Sequence, residues 1–480
     1  MFGRTLILLT WIQAFSFAAI YGTAVAVIGA GSAGLTAYRS ARQHTDSVLL
    51  IDPGPLGTTC ARVGCIPSKL LIAAADSAWH MRHADRLGVS AGTIQVDGVR
   101  VMQRVRQMRD RFVGKVLKGM ESIPGEDQLK QTVRFAGNHL LETAEGEQIE
   151  AERIVIATGS RPSVPRMLQA AGTRLLVNDD LFELTDLPQS VVVFGPGVIG
   201  LELGQALHRL GVRVRMFGIG GAIGPIEDEA IRQAALEQFG QEFPLDPDAQ
   251  VTAIQETEIG VEVSFQTADG DSVTETFDYL LAATGRRPNV DQLGLEHTDL
   301  ELDTHGVPRF DPHTLQCSAE HIFIAGDANN DLPLLHEASD EGAIAGRNAA
   351  LLPEIQPGHR TVPLAIVFSD PQIATVGLRP SRIEAEYTNH YAVARFDFAD
   401  QARAKVLGRD RGLMKVWAEK ESGTLLGVEI LGPDAEHLAH LLAWAIQQRL
   451  SVRDLLQMPY YHPVLEEGIR SLLRDLKSRL

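Results

Sequence analysis

Two cysteines five positions apart, Cys60 and Cys65, carry the most specific chemistry in the chain. They lie in the run Gly57-Thr58-Thr59-Cys60-Ala61-Arg62-Val63-Gly64-Cys65-Ile66-Pro67-Ser68-Lys69, whose threonines suit the cap of a helix beginning near the cysteines. On a regular helix, residues five apart point about 140° away from one another, so a Cys60–Cys65 bridge requires local distortion. Gly64 and Pro67 ease it. A disulfide so placed is readily reduced, because the helix start stabilises a departing thiolate. Two other readings use the same residues: a buried structural pair, or part of a metal site. Glycine and proline would merely weaken a structural helix, and no further cysteine or histidine cluster completes a metal site, so no metal is expected. Cys317 reads as a small buried apolar residue.

The elements that would serve such a pair are repeated. Thr23 to Ile28 is an apolar strand pattern, followed by Gly29-Ala30-Gly31-Ser32-Ala33-Gly34, a helix through Ala41 and a second strand, Ser47 to Ile51, ending in Asp52. Ser190 to Phe194, Gly195-Pro196-Gly197-Val198-Ile199-Gly200, a helix to about Leu210 and Val212 to Phe217 repeat the grammar. Both are βαβ units whose glycines, Gly29, Gly31 and Gly34, then Gly195, Gly197 and Gly200, allow backbone to approach a pyrophosphate at a helix N-terminus. Asp52 stands where a carboxylate accepts from ribose hydroxyls. Downstream of each unit a strand ends in small residues, with Thr158 and Gly159 in the first copy and Gly285 in the second, again suited to close approach of a nucleotide. The second unit lacks the acid. Gly218 occupies its place and no arginine replaces it, so NAD is expected over NADP with weak discrimination, which Gly218→Glu would sharpen. Arg213 and Arg215 are the fallback phosphate ligands. Arg134 to Glu150 and Val251 to Asp278 read as small antiparallel insertions. After Pro353 come strand patterns at Leu364 to Phe368, Leu413 to Ala418 and Leu425 to Leu431 and helical ones at Glu436 to Leu450 and Leu465 to Leu476, a mixed α+β region without a glycine loop.

The formal charge of −17, from 44 Lys+Arg against 61 Asp+Glu, repels phosphate backbones and excludes nucleic acid as a partner. With 45% hydrophobic and 22% charged residues, the 480-residue chain is globular and of several domains. Three cysteines fit a reducing compartment, and a cytoplasmic location is expected. The apolar run Thr5 to Ile20 leaves a signal peptide or membrane anchor open, and with it membrane contact. Because a strand must begin near Thr23, cleavage after Ala18 or Ala19 would leave almost no linker, and a dispensable extension over 1–20 fits better.

Taken together, these motifs resemble the class I pyridine nucleotide-disulfide oxidoreductases, from Thr23 to the C-terminus and in the family's order, and most closely the branch acting on dihydrolipoamide. The resemblance implies an α/β fold of two Rossmann-like nucleotide-binding domains plus a C-terminal α+β dimerisation domain. FAD would be held by 21–155 and 286–353, NAD by 156–285, and the dimer by 354–480. It implies that Lys69 lies against the flavin, that Asp327 and Ala328 in Ile322-Phe323-Ile324-Ala325-Gly326-Asp327-Ala328 meet FAD, and that Glu202 lies near the nicotinamide. Cys60 would be the interchange thiol and Cys65 the thiol facing the flavin. In Tyr461-His462-Pro463-Val464-Leu465-Glu466-Glu467, His462 would be the acid-base catalyst and Glu467 its orienting carboxylate, reaching the cysteines of the opposite subunit of a homodimer. The implied partner is a small-molecule or lipoyl-domain dithiol or disulfide. Arg62, Val464 and Asp52 depart from the family's usual Asn, Thr and Glu, and suggest a branch whose disulfide substrate differs. A C-terminus without cysteines argues against a mercuric reductase. Missing arginines argue against a glutathione reductase, and the cysteine pair against a hydride exchanger that works through flavin alone. The joint presence of Cys60, Cys65, His462 and Glu467 argues against a non-catalytic nucleotide-binding scaffold.

Overall fold

The first glycine loop follows a strand of small and β-branched residues. Ile20–Ile28 runs between two parallel neighbours, Val48–Ile51 and Gln148–Ile156, so both its faces are covered and Val25, Ala26 and Val27 are fully buried. It begins before Thr23 because Ile20 to Thr23 already pair with Gln148 to Ala151. This computed structural model describes residues 20–90, 92–267 and 269–480, and the apolar run at 5–20, apart from the backbone of Ile20, lies outside the described residues. Among the described residues no helix is long and apolar enough to cross a membrane. The chain divides into two compact units.

The first unit takes the chain up to Leu56, Ile123–Gly159 and Pro288–Gly358. Its sheet runs in the order Gln128–Leu129, Val48–Ile51, Ile20–Ile28, Gln148–Ile156, Leu140–Thr143, Val133–Gly137, and Ile322–Ile324 pairs with the far end of Gln148–Ile156. The insertion expected from Arg134 to Glu150 is therefore built onto one end of that long strand. Helix Ser32–Ala41 packs against helix Leu335–Leu351 backbone to backbone. A Cβ on Gly342 would stand 2.2 Å from the Ala33 carbonyl oxygen, and one on Gly346 2.1 Å from that of Ala37.

The second unit takes Gly57–Ser122, Ser160–Arg287 and His359–Leu480. Its parallel sheet runs Leu245–Asp246, Arg213–Phe217, Ser190–Phe194, Tyr279–Ala282, Leu175–Leu176, with the central Ser190–Phe194 buried along its whole length. Three antiparallel strands, Gln250–Thr257, Gly260–Gln266 and Ser272–Phe277, form the second insertion. The C-terminal sheet is antiparallel in the order Leu364–Val367, Gln372–Gly377, Leu425–Gly432, Leu413–Glu419, Tyr391–Asp397, and it shares a core with helices Ala435–Gln447 and Glu467–Lys477. Two nucleotide folds of the Rossmann type and a terminal α+β region are thus present.

The helix that carries Cys65 is held in place by a buried charge. Arg209, 2% exposed, pairs with Asp76 of that helix at 3.1 Å, with Glu242 at 2.7 Å and with Asp370 at 3.1 Å. A guanidinium so far from water keeps its charge only with carboxylates around it, and its planar fork serves several at once. Helix Val198–Arg209, which opens the second glycine turn, is thereby fixed to helix Cys65–Arg82.

Candidate active site

Thr58 caps the short helix Thr59–Val63, its Oγ1 accepting from the Ala61 amide at 3.3 Å. At Gly64 the backbone leaves helical geometry, with φ −123° and ψ −115°, and helix Cys65–Arg82 starts at the next residue. The distortion that brings the cysteines together is therefore a complete break. A side chain at Gly64 would stand 3.2 Å from the Thr59 carbonyl oxygen. Cys65 is left as the first residue of an 18-residue helix, where the helix dipole favours a thiolate.

The two cysteine side chains are within hydrogen-bonding reach of one another. The hydrogen bond from Cys60 pushes the Cys65 thiol down to about 7, against the effect of burial and with help from the Lys69 ammonium. The same bond and burial push the Cys60 thiol up. Cys65 is thus the better thiolate and the better leaving group. In the reduced protein, alkylation of Cys65 by iodoacetamide should rise with pH through a midpoint near 7. Cys60→Ser keeps a hydroxyl donor and should keep that midpoint, whereas Cys60→Ala should move it up towards the ordinary thiol value of about 8.5. Peptide mass spectrometry across a pH series reads both, and equal midpoints in the two variants would contradict the assignment of the donor. Cys317 is buried in the first unit's core, and burial pushes its thiol up, as an unreactive packing residue requires.

One turn beyond Cys65, Lys69 Nζ donates to both carboxylate oxygens of Glu202, at 2.9 and 2.7 Å, and lies 4.5 Å from the centre of the Phe368 ring. Glu202, 4% exposed, also accepts from the Phe368 amide at 3.0 Å. The two residues named separately from sequence motifs form one ion pair, and Phe368 completes it from a third segment. No local pattern signals a contact between residues 133 apart in the chain, so the pairing was invisible in the sequence.

His462 is 73% exposed at its side chain, and its Nδ1 lies 2.9 Å from Glu467 Oε2 and 3.1 Å from Oε1. A carboxylate only accepts, so Nδ1 carries the proton and Nε2 is the basic nitrogen. Glu467 opens helix Glu467–Lys477, which sets its distance from the histidine.

Both glycine turns are shaped for an anion. Helices Ser32–Ala41 and Val198–Arg209 begin at Gly31 and Gly197 with no side-chain cap and no acid in the first turn. Helices Gly98–Met120 and Glu229–Gly240 are instead capped by Asp97 and Asp228. Uncapped N–H groups at a glycine turn are what a pyrophosphate uses. A Cβ on Gly34 would meet the Gly29 oxygen at 1.8 Å and one on Gly200 the Gly195 oxygen at 1.9 Å, while the space beside Gly31 and Gly197 is open to 4 Å. Asp52 Oδ2 accepts from the Ala30 amide at 2.6 Å and Oδ1 from Gly54 at 2.7 Å, which leaves each oxygen a lone pair for a ribose hydroxyl. Among the described residues Thr158 Oγ1 is buried without a partner beside Gly29, whereas its counterpart Thr284 donates to the Ser163 carbonyl at 2.6 Å. The first turn therefore fits FAD, with an orphaned hydroxyl still to satisfy. Gly159 and Gly285 adopt positive φ, 68° and 96°, with open space beside both. Asp327 and the fully buried Ala328 lie in the turn Gly326–Asn329. That turn is held by Glu341, fully buried and not anticipated, whose Oε2 accepts from the Gly326 amide at 2.7 Å and from Asn329 at 2.8 Å.

Two expectations about the second turn fail. A Cβ at Gly218 would stand 2.7 Å from the Pro247 carbonyl oxygen and 2.8 Å from Pro196 Cγ, so Gly218→Glu would disrupt the turn rather than sharpen nucleotide choice. Arg213 and Arg215 are not poised as phosphate ligands. Both pair with Glu275, at 3.1 and 2.6 Å, and they lie over Phe277 and Phe265 of the antiparallel insertion.

The family described as pyridine nucleotide-disulphide oxidoreductase matches residues 23–342, and its dimerisation domain matches residues 363–473. A dihydrolipoyl dehydrogenase of Geobacillus stearothermophilus is 32% identical over 93% of this chain and 94% of the relative. One of Halobacterium salinarum is 33% identical over the same shares. Among solved structures, LpdA of Mycobacterium tuberculosis superimposes with a TM-score of 0.80 at 26% identity, over 95% of this chain and 99% of that one. The flavoprotein disulfide reductase RclA of Escherichia coli, at a TM-score of 0.79 and 24% identity over 95% and 99%, shares the fold.

Proposed function

The chain belongs to the pyridine nucleotide-disulphide oxidoreductase family, FAD-dependent enzymes that use NAD(H), and from that premise we propose that it oxidises a dithiol of the dihydrolipoyl class through Cys60 and Cys65. The observation that carries this reading is the helix break at Gly64, which sets Cys60 in the short helix before it and Cys65 at the first position of the 18-residue helix after it, where a thiolate is favoured.

In the proposed cycle, a substrate thiol gives its proton to His462 Nε2. The resulting thiolate attacks Cys60 Sγ, the Cys60–Cys65 bond breaks, and Cys65 leaves with the electron pair. The second substrate sulfur then displaces Cys60 from the mixed disulfide, and its proton ends on Cys60. The substrate departs as a disulfide, and the pair is left as Cys60 thiol and Cys65 thiolate, with the first proton on His462. FAD, when bound, supplies the two-electron relay between this pair and the nicotinamide nucleotide. Residues 21–155 and 286–353 would hold it through Gly29, Gly31, Gly34, Asp52, Asp327 and Ala328, joined by Thr158 and Gly159 just beyond the first segment, with Lys69 against the flavin. Residues 156–285 would hold NAD through Gly195, Gly197, Gly200, Glu202 and Gly285. The match to the dimerisation domain supports a homodimer. Glu467, the first residue of the dimerisation domain's last helix, and His462 in the turn before it would serve the opposite subunit's cysteines. A dithiol cycle of this kind suits the cytoplasm, where thiols stay reduced.

The test is turnover of dihydrolipoamide with NAD⁺, together with thiol counting after anaerobic NADH. We expect sustained turnover and two additional reactive thiols per subunit on reduction. A preparation that oxidises NADH with ferricyanide but exchanges electrons with neither dihydrolipoamide nor lipoamide would overturn the dithiol assignment.

A further inference from the structure

The strand that ends in Phe217 has no acid at its exit, yet a carboxylate stands there. Beyond Gly218 the chain makes an open turn through Gly220 and Gly221, at φ 71° and 74°, with nothing within 4 Å of either Cβ position. The neighbouring strand's exit, Asp246 to Ala249, interlocks with it. The Gly218 amide donates to the Asp246 carbonyl at 2.7 Å, Gly221 to the Pro247 carbonyl at 3.1 Å, and Ala249 back to the Gly218 carbonyl at 3.0 Å. Asp248 Oδ1 accepts from the Gly220 amide at 2.7 Å, and the Asp248 amide in turn donates to Asp246 Oδ1 at 3.1 Å. Asp248 is exposed, and among the described residues its side chain's hydrogen bond runs through Oδ1.

This turn borders the second glycine turn. Gly224 donates to the Pro196 carbonyl at 2.7 Å, and Pro196 fills the space beside Gly218. In a doubly wound fold the adenosine half of a dinucleotide lies over the exit of the second strand. Ile219, at that exit, is 85% exposed, an apolar surface left uncovered among the described residues. The Arg213 and Arg215 guanidiniums, nearest in sequence, are occupied by Glu275.

We propose that Asp248, supplied by the neighbouring strand, is the residue that selects NAD(H) over NADP(H), and that Ile219 lies against the adenine. The carboxylate accepts from the ribose hydroxyls, and its charge repels a 2′-phosphate. This deepens the nucleotide assignment and rests on it, but it corrects the expectation of weak discrimination drawn from Gly218 alone.

The test is kcat/KM for NADH and NADPH with ferricyanide as acceptor, in the parent, Asp248→Asn and Asp248→Glu. The amide of Asn keeps an acceptor for Gly220, so the turn is retained while the charge is lost. We expect the parent to prefer NADH, Asp248→Asn to lower the NADH:NADPH ratio by about tenfold or more, and Asp248→Glu to restore most of it. Salt should erode the parent's ratio and leave that of Asp248→Asn unmoved. An unchanged ratio in Asp248→Asn, or a parent that prefers NADPH, overturns the proposal. Because ferricyanide bypasses the cysteines, failure of the dithiol assignment would appear separately, as absent dihydrolipoamide turnover with the nucleotide ratio intact.

Discussion

Cys65→Ser should abolish turnover of dihydrolipoamide while leaving a yellow protein that still oxidises NADH with ferricyanide. The serine hydroxyl retains a partner for Cys60 at the helix break, so the fold around Gly64 has no cause to change. What is lost is the second sulfur, and without it no intramolecular disulfide forms and no thiolate leaving group remains. The glycine turn and Asp52, expected to carry most of the FAD contacts, are in another part of the chain. Flavin absorbance after gel filtration, with both assays on the same sample, is the measurement. Release of the flavin together with the activity would mean that Cys65 is structural.

His462→Gln should lower kcat for the dithiol by about 10²- to 10⁴-fold, the usual contribution of a positioned acid-base group. The ring is held through Nδ1 by Glu467 and its side chain is 73% exposed, so the sulfur it serves is expected to come from a neighbour. Mixing of Cys60→Ser and His462→Gln protomers tests whether that neighbour is the second subunit. Half of the randomly reassociated dimers are mixed, and each has one intact site of two, so roughly a quarter of parental activity should return. No recovery after exchange verified by mass spectrometry would place the histidine's work within its own chain.

The repeated βαβ grammar was legible because each repeat lies buried in a parallel sheet, where the apolar run, the glycine turn and the next strand are all local signals. Ser190–Phe194 was read to the residue. The break at Gly64 was legible for the same reason, since five-residue cysteine spacing and helical geometry conflict within one turn. Contacts between distant segments were not. The Lys69–Glu202–Phe368 cluster, the Glu341 clamp on Gly326 and the placement of Asp248 at a neighbouring strand's exit arise only when strands pair and helices cross. Gly218 shows the cost of reading position without packing, because its lack of a side chain answers to Pro196 and Pro247. Helix Gly98–Met120 went unread, since among its 23 residues only Met102, Val105 and Met120 are buried, too sparse a stripe to stand out. Strands Gln372–Gly377 and Tyr391–Asp397 went unread for want of the turn and motif signals that mark the other repeats.

The backbone contact between helices Ser32–Ala41 and Leu335–Leu351 bears on how this chain can vary over evolutionary time. Elsewhere Gly-to-Ala is among the mildest exchanges a protein can undergo. At Gly342 and Gly346 the added carbon would overlap the Ala33 and Ala37 carbonyls, and the helix that would have to yield is the one that begins at the first glycine turn. These two positions therefore admit a one-letter alphabet. A methyl group added at either place would push the two helices apart at the end where the proposed FAD site begins, so the seam ties cofactor binding, if that site is used, to the absence of two carbon atoms.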